Sequence, residues 1–114
     1  MKKVAIIDTL GAHGGGFHFY TFGQSMGLIH HGFDVSLYTN NETTNPKINK
    51  LKFFTFYKNI FKSKLKIING LRWIVGSLLS IFHARMNGVS IFHFHIFYSN
   101  SLIIFNLFLV KLLF

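Results

Sequence analysis

The sequence predicts an α/β domain built on a parallel sheet, and three stretches near its start carry that prediction. Lys3–Asp8 reads Lys-Val-Ala-Ile-Ile-Asp, a short unbroken apolar run of the kind that forms a strand covered on both faces. Thr9 to Gly16 then holds four glycines in eight residues, which makes a loop, and a helical pattern follows it. Phe19, Phe22, Met26 and Ile29 recur at spacings of three and four, an apolar stripe. Asp34–Thr39, Asp-Val-Ser-Leu-Tyr-Thr, has the composition of a second strand. Strand, glycine loop, helix and strand make one βαβ unit.

Within that unit, Gly23 and Gly27 lie one turn apart, cost helix propensity, and would let the helix approach a sheet closely. Gly32 stands where a helix C-terminal cap belongs. Asn40–Asn49 is rich in Asn and Thr, carries the single proline, Pro46, and reads as a loop. Lys52–Tyr57 is aromatic and weakly alternating, a third strand. From Lys62 to Asn87 the period is helical again. Ile68, Leu71, Val75, Leu78 and Phe82 form one apolar stripe, the face that ordinarily meets the core. Lys62, Lys66, Asn69, Ser77 and Ser80 lie opposite, with Trp73 among them. Asn87-Gly88 ends the helix. Val89–Ile96 is a fourth strand that puts His93 and His95 on one face, because strand side chains alternate. Ser99 or Asn100 can cap a final helix through Leu113. The expected sheet is parallel, in the order 3-2-1-4 by strand number.

Composition narrows the chemistry. The chain has 114 residues, enough for one core, and a formal net charge of +9. All three acids, Asp8, Asp34 and Glu42, precede position 43, and seven lysines fall between Lys47 and Lys66. A field of one sign attracts phosphate-bearing partners; the plain alternative is a solvated lysine-rich face. Trp73 and the lysines Lys58, Lys62 and Lys66 are the candidate contacts with an anionic membrane surface. The absence of cysteine excludes disulfides and thiolate chemistry. Three acids leave no carboxylate pair for hydrolysis, and no Gly-x-Ser-x-Gly elbow is present. His13, His18, His30 and His31 lack carboxylate or thiolate companions at ligand spacing, so no metal site is expected. Asp8 closes the first apolar run too early for a signal peptide, and the apolar stretches Leu71–Phe82 and Leu102–Phe114 are shorter than the roughly 20 residues of a spanning helix. A cytoplasmic protein, peripheral on the inner face of a membrane, is the expected setting. Basic and aromatic residues mix around Phe53–Phe61, but a strand followed by an amphipathic helix accounts for them without a nucleic-acid partner.

The glycine loop is the best local signal. Gly11-Ala12-His13-Gly14-Gly15-Gly16 joins a buried strand to a helix, where free N–H groups and the helix dipole attract a phosphate. The spacing is neither Gly-x-Gly-x-x-Gly nor a P-loop, and a tight turn without ligand would use the same residues. Past these glycines the chain resembles the N-terminal domain of GT-B glycosyltransferases, especially the large retaining group of glycosyltransferase family 4 (group 1) type. Those enzymes open with a strand, a Gly-Gly loop, a helix and a Gly-His-x-Val segment that starts the second strand. Here Gly15-Gly16 precede the helix, Ser25 and Leu28 take the small and apolar helix positions, and Gly32-Phe33-Asp34-Val35 stands for Gly-His-x-Val, with Phe33 in place of His. Further on, the family has a basic helix and a strand of the form Asp-Val-Val-His-x-His; here Lys62–Asn87 precedes Val89-Ser90-Ile91-Phe92-His93-Phe94-His95.

The resemblance implies a Rossmann-like parallel sheet of about four strands with flanking helices, an incomplete N-terminal half of a GT-B fold. Residues 1–114 would form part of the acceptor-side domain, without the C-terminal donor-binding domain; an apolar helix that stops at Phe114 fits missing sequence. It implies that Gly15 and Gly16 lie near the diphosphate of a nucleotide-sugar donor and that His95 is catalytic, facing the reaction centre, a role in which it fits better than the deeper His93. The substrates implied are a nucleotide sugar and a glycan or lipid-linked acceptor, with no metal or other cofactor. The alternative is a non-catalytic basic α/β module that docks on an anionic membrane or a partner protein.

Overall fold

The structure is a computed structural model and describes residues 2–13, 17–95 and 100–113. Four strands and three helices follow one another as β1 (Lys3–Asp8), α1 (Phe17–His30), β2 (Asp34–Asn40), β3 (Lys52–Tyr57), α2 (Lys66–Met86), β4 (Ile91–Phe94) and α3 (Asn100–Leu113), with a 3₁₀ turn at Gly11–His13. The sheet runs β3-β2-β1-β4 and every pairing is parallel. Val4 stands beside Val35 on one side and Ile91 on the other, so β1, like β2, is an inner strand. This is the Rossmann-like α/β arrangement.

Alternation along the strands divides the core in two. Val4, Ile6, Val35 and Leu37 point to one face and meet Phe22, Leu28 and Ile29 of α1. Ala5, Ile7, Tyr38 and Tyr57 point to the other and pack with Trp73, Ile81 and Ala84 of α2 and Leu109 of α3. The sheet therefore lies between α1 and the α2–α3 pair. Strand β3 carries one extra residue, since Tyr38 pairs with Phe54 but Asn40 with Tyr57. That bulge turns Tyr57 to the same face as Phe54 and Phe56, beneath α2.

Two helices end in the same way. Phe33 N–H bonds to Leu28 O and Gly32 N–H to Ile29 O; Val89 N–H bonds to Ala84 O and Gly88 N–H to Arg85 O. Each is a Schellman cap whose glycine has positive φ, +90° at Gly32 and +76° at Gly88. Each cap then delivers the chain to β1, through Asp34 N–H to Lys2 O and Ser90 N–H to Lys3 O.

The helix faces differ from the periodic reading. On α2 the buried residues are Trp73, Gly76, Ser77, Ser80, Ile81 and Ala84. Leu71, Val75, Leu78 and Phe82, the expected core stripe, point outward at 43–56% exposure. The reason is distance of approach. A Cβ on Gly76 would stand 2.5 Å from the Tyr57 ring, and the Tyr57 hydroxyl lies 3.0 Å from Ser77 Oγ. Where α2 crosses Tyr57 only small residues fit, so the face that looks polar in sequence is the one that packs. Trp73 goes inward with it, 4% exposed and edge-on to Phe61, and is not available to a head-group boundary. The lysines Lys58, Lys62 and Lys66 remain exposed. On α1 Thr21 and Ser25 are buried, Phe22 and Ile29 of the expected stripe pack against the core, and Phe19 and Met26 point outward. Gly23 and Gly27 lie on the exposed side with open space around them, so they do not mediate the close approach.

Helix α2 starts four residues later than its sequence period suggests. The Asn69 side chain closes on Ser63, accepting its N–H at 3.1 Å and donating to its carbonyl at 2.9 Å, and this holds the preceding segment as a turn. Lys66–Met86 is long and apolar enough to cross a membrane, yet a third of that stretch is buried against its own sheet. Strand β4 is shorter than expected: Val89 belongs to the cap of α2, and Ile96 lies outside the described residues.

Candidate functional site

The carboxyl end of β1 carries a buried acid, Asp8, at 5% exposure. Its Oδ1 accepts the Gly11 N–H at 3.0 Å, and its Oδ2 accepts the hydroxyl of Thr21, from α1, at 2.8 Å. Thr21 Oγ1 lies 3.0 Å from Nδ1 of His95. A carboxylate only accepts, so the hydroxyl proton goes to Asp8 and the hydroxyl oxygen receives the Nδ1–H of the imidazole. The opposite ring nitrogen, Nε2, is 2.6 Å from the carbonyl oxygen Oε1 of Gln24, one turn along α1. Gln24 also reaches His93 Nε2 at 3.4 Å, and the two histidine rings are 4.9 Å apart. The backbone fixes the position as well, because His95 N–H bonds to Ile7 O at 2.9 Å and extends the β1–β4 ladder past β4.

Burial pushes the His95 imidazole below its ordinary range; Asp8 acts against this and His93 with it. Gln24 Oε1 faces Nε2 here, and the neutral ring with hydrogen on Nδ1 needs the amide rotated to present its NH₂. The imidazolium pairs with the amide carbonyl. Gain of a proton at His95 and rotation of the Gln24 amide are thus coupled, and the rotation also exchanges the group presented to His93. Chemically, Nε2 can take a proton from a hydroxyl, or hydrogen-bond one, when that hydroxyl displaces Gln24.

A second polar knot anchors the loop after β1. Asn40 Nδ2 donates to the carbonyls of Thr9 and Leu10, while its Oδ1 accepts from Glu42 N–H and the Thr43 hydroxyl. Thr43 Oγ1 also accepts Ala12 N–H at 3.0 Å. A side chain on Gly11 would collide with the Thr43 hydroxyl. The turn entering the glycine loop is therefore held from β1 by Asp8 and from the end of β2 by Asn40 and Thr43.

Gly14, Gly15 and Gly16 themselves lie outside the described residues. Of the two strand histidines, His93 is exposed and His95 half-buried, the reverse of the expected depths. Among the described residues no group of three or more His, Asp or Glu could hold a metal ion. Asp8, Thr21, Gln24, Asn40 and Thr43 escaped the sequence reading. Asp8 was available there as an acid closing a buried strand, a position that requires a partner.

Compared with protein-family models, curated proteins and solved structures, the chain matches none.

Proposed function

We propose that this chain is the acceptor-side α/β domain of a glycosyltransferase, which moves a sugar from a nucleotide-activated donor to a glycan or lipid-linked acceptor. The observation that carries the reading is His95: an imidazole at the carboxyl edge of a parallel sheet, oriented on one nitrogen by Thr21 and Asp8 and on the other by Gln24. Ligands of open α/β sheets bind beyond the carboxyl ends of the strands. A ring of lowered basicity suits contact with a sugar or acceptor hydroxyl, since it stays neutral near pH 7 and offers Nε2 as an acceptor. On this reading Gly15 and Gly16 approach the donor diphosphate, and His95 is the catalytic contact with the reacting sugar. The nucleotide sugar is a substrate, and no metal or other cofactor is invoked.

The test is side-chain NMR of the chain with nucleoside diphosphate sugars and with short glycans or glycolipid analogues. Shifts at His95 and Gln24 that saturate with ligand, and vanish in His95→Ala, are the expected result. Shifts confined to lysines, identical for inorganic pyrophosphate, would sink the proposal. They would leave the second reading, a non-catalytic basic module, which the outward apolar face of α2 favours.

A further inference from the structure

The outer surfaces of α2 and α3 lie side by side on the same face of the sheet. They are joined where Arg85 Nε donates to Leu113 O at 2.8 Å, and where Ile81, Ala84 and Leu109 share one core. On α2, Ile67, Leu71, Val75, Phe82 and Met86 are 54–72% exposed along a 21-residue helix. On α3, Ile104, Leu107, Phe108 and Leu112 are 52–68% exposed. A groove of about 490 Å³ opens into this surface between β3 and α2, lined by Phe56, Leu71, Val75 and Leu79 together with Lys58 and Arg72. Lys111 stands exposed on α3, and no acid occurs anywhere after Glu42.

We propose that this α2–α3 face seats in the surface of an anionic bilayer, with both helices lying in the membrane plane. Charge complementarity selects the occupant. A second copy would oppose Lys58, Arg72 and Lys111 to the same cations, with no acid between them. A specific protein interface carries about one hydrogen bond per 100–200 Å², whereas the α2 stripe offers aliphatic and aromatic groups only. Apolar side chains flanked by cations match the boundary between acyl chains and anionic head groups. The helices lie on the bilayer and do not cross it, because the inner side of α2 is committed to Tyr57 through Gly76 and Ser77. The face is separate from the His95 site, which α1 covers, so either proposal can fail alone.

The experiment is synthesis of the full chain in a reconstituted translation mix, with phosphatidylcholine vesicles with or without phosphatidylglycerol, followed by flotation. Recovery should require phosphatidylglycerol. It should fall roughly tenfold or more in Val75→Glu/Phe82→Glu, which loses two apolar contacts. It should persist in Phe19→Glu/Met26→Glu, whose changes lie on exposed α1 positions across the sheet. Brominated phosphatidylglycerol should quench a Phe82→Trp indole and spare the buried Trp73, a reading that needs no glutamate variant to fold. Equal recovery with neutral vesicles, undiminished flotation of Val75→Glu/Phe82→Glu, or an unquenched Phe82→Trp would overturn the proposal. So would a vesicle-free dimer in sedimentation that the same glutamate pair abolishes.

Discussion

Gly70 and Gly76 lie in the same helix, and replacement by alanine should push stability in opposite directions. In an exposed helix interior the exchange gains about 1 kcal/mol from backbone entropy. Gly70 has nothing within 4 Å of the new Cβ, so Gly70→Ala should show that gain in full. At Gly76 the new Cβ would stand 2.5 and 2.9 Å from two atoms of the Tyr57 ring and 3.0 Å from its Cα. Tyr57 is fully buried and its hydroxyl is held by Ser77, so the ring has nowhere to swing. Helix or strand must shift, and such overpacking costs about 1–3 kcal/mol, toward the upper end where backbone is met as well as ring. After the propensity gain, Gly76→Ala should lose about 1–2 kcal/mol and stand about 2–3 kcal/mol below Gly70→Ala. Urea unfolding followed by Trp73, the single tryptophan, measures both, with mild detergent covering the outward face of α2. If Gly76→Ala is as stable as Gly70→Ala, the close approach of α2 to β3 is refuted, and with it the explanation of why the apolar stripe faces outward.

The lowered basicity of His95 gives a signed pH dependence. An unfolded histidine titrates near about 6.5, so below that pH the unfolded chain binds more protons. The contribution of His95 is complete above about pH 7, is lost as pH falls through the window below about 6.5, and levels off under the folded value. The acid-side slope should be shallower in His95→Gln, and identical slopes would contradict the assignment. Thr21→Val removes the hydroxyl between Asp8 and His95 and strands a buried carboxylate oxygen, at a cost of about 1–3 kcal/mol. Nitrogen-15 NMR should also show His95 losing its preference for hydrogen on Nδ1, and an unchanged tautomer would show that Thr21 does not orient the ring. Asn40→Ala leaves the Thr9 and Leu10 carbonyls without that donor and should cost at least about 2 kcal/mol. Hydrogen exchange should show the Gly11–His13 turn opening first; protection equal to that of the parent chain would deny Asn40 its anchoring role.

The strands were legible because two-sided burial leaves a direct mark: Val4–Ile7 is apolar at every position and Val35–Tyr38 at all but Ser36, and parallel pairing follows from the helix between them. The caps at Gly32 and Gly88 were legible because positive φ selects glycine. The facing of the helices was not legible. Apolar periodicity locates a stripe but does not say which side a sheet can approach, and on α2 the small side of Gly76, Ser77 and Ser80 prevails over the large side of Leu71 and Phe82. The extra residue in β3 left no trace either, because four aromatic residues in six blur any alternation. At the candidate site His95 was singled out by the resemblance, on the His-x-His that closes the fourth strand. Thr21 and Gln24 were not, because a threonine and a glutamine in a helix acquire meaning only when another strand sets a histidine between them.

The inner place of β1 has a consequence for synthesis on the ribosome. Its first edge is covered once β2 emerges, but its second waits for β4, and the Lys3 side chain meets Asn87, 84 positions away, only at that stage. Roughly fifty residues separate the two partners, which at ~5–20 residues per second is a delay of roughly three to ten seconds. Through that interval Val4–Ile7 presents an unpaired row of amides and carbonyls beside an apolar surface, the kind of template on which foreign strands add. The nascent chain should therefore depend most on a chaperone between completion of β2 and emergence of β4, and ribosome stalling placed within α2 should trap the species most prone to aggregate.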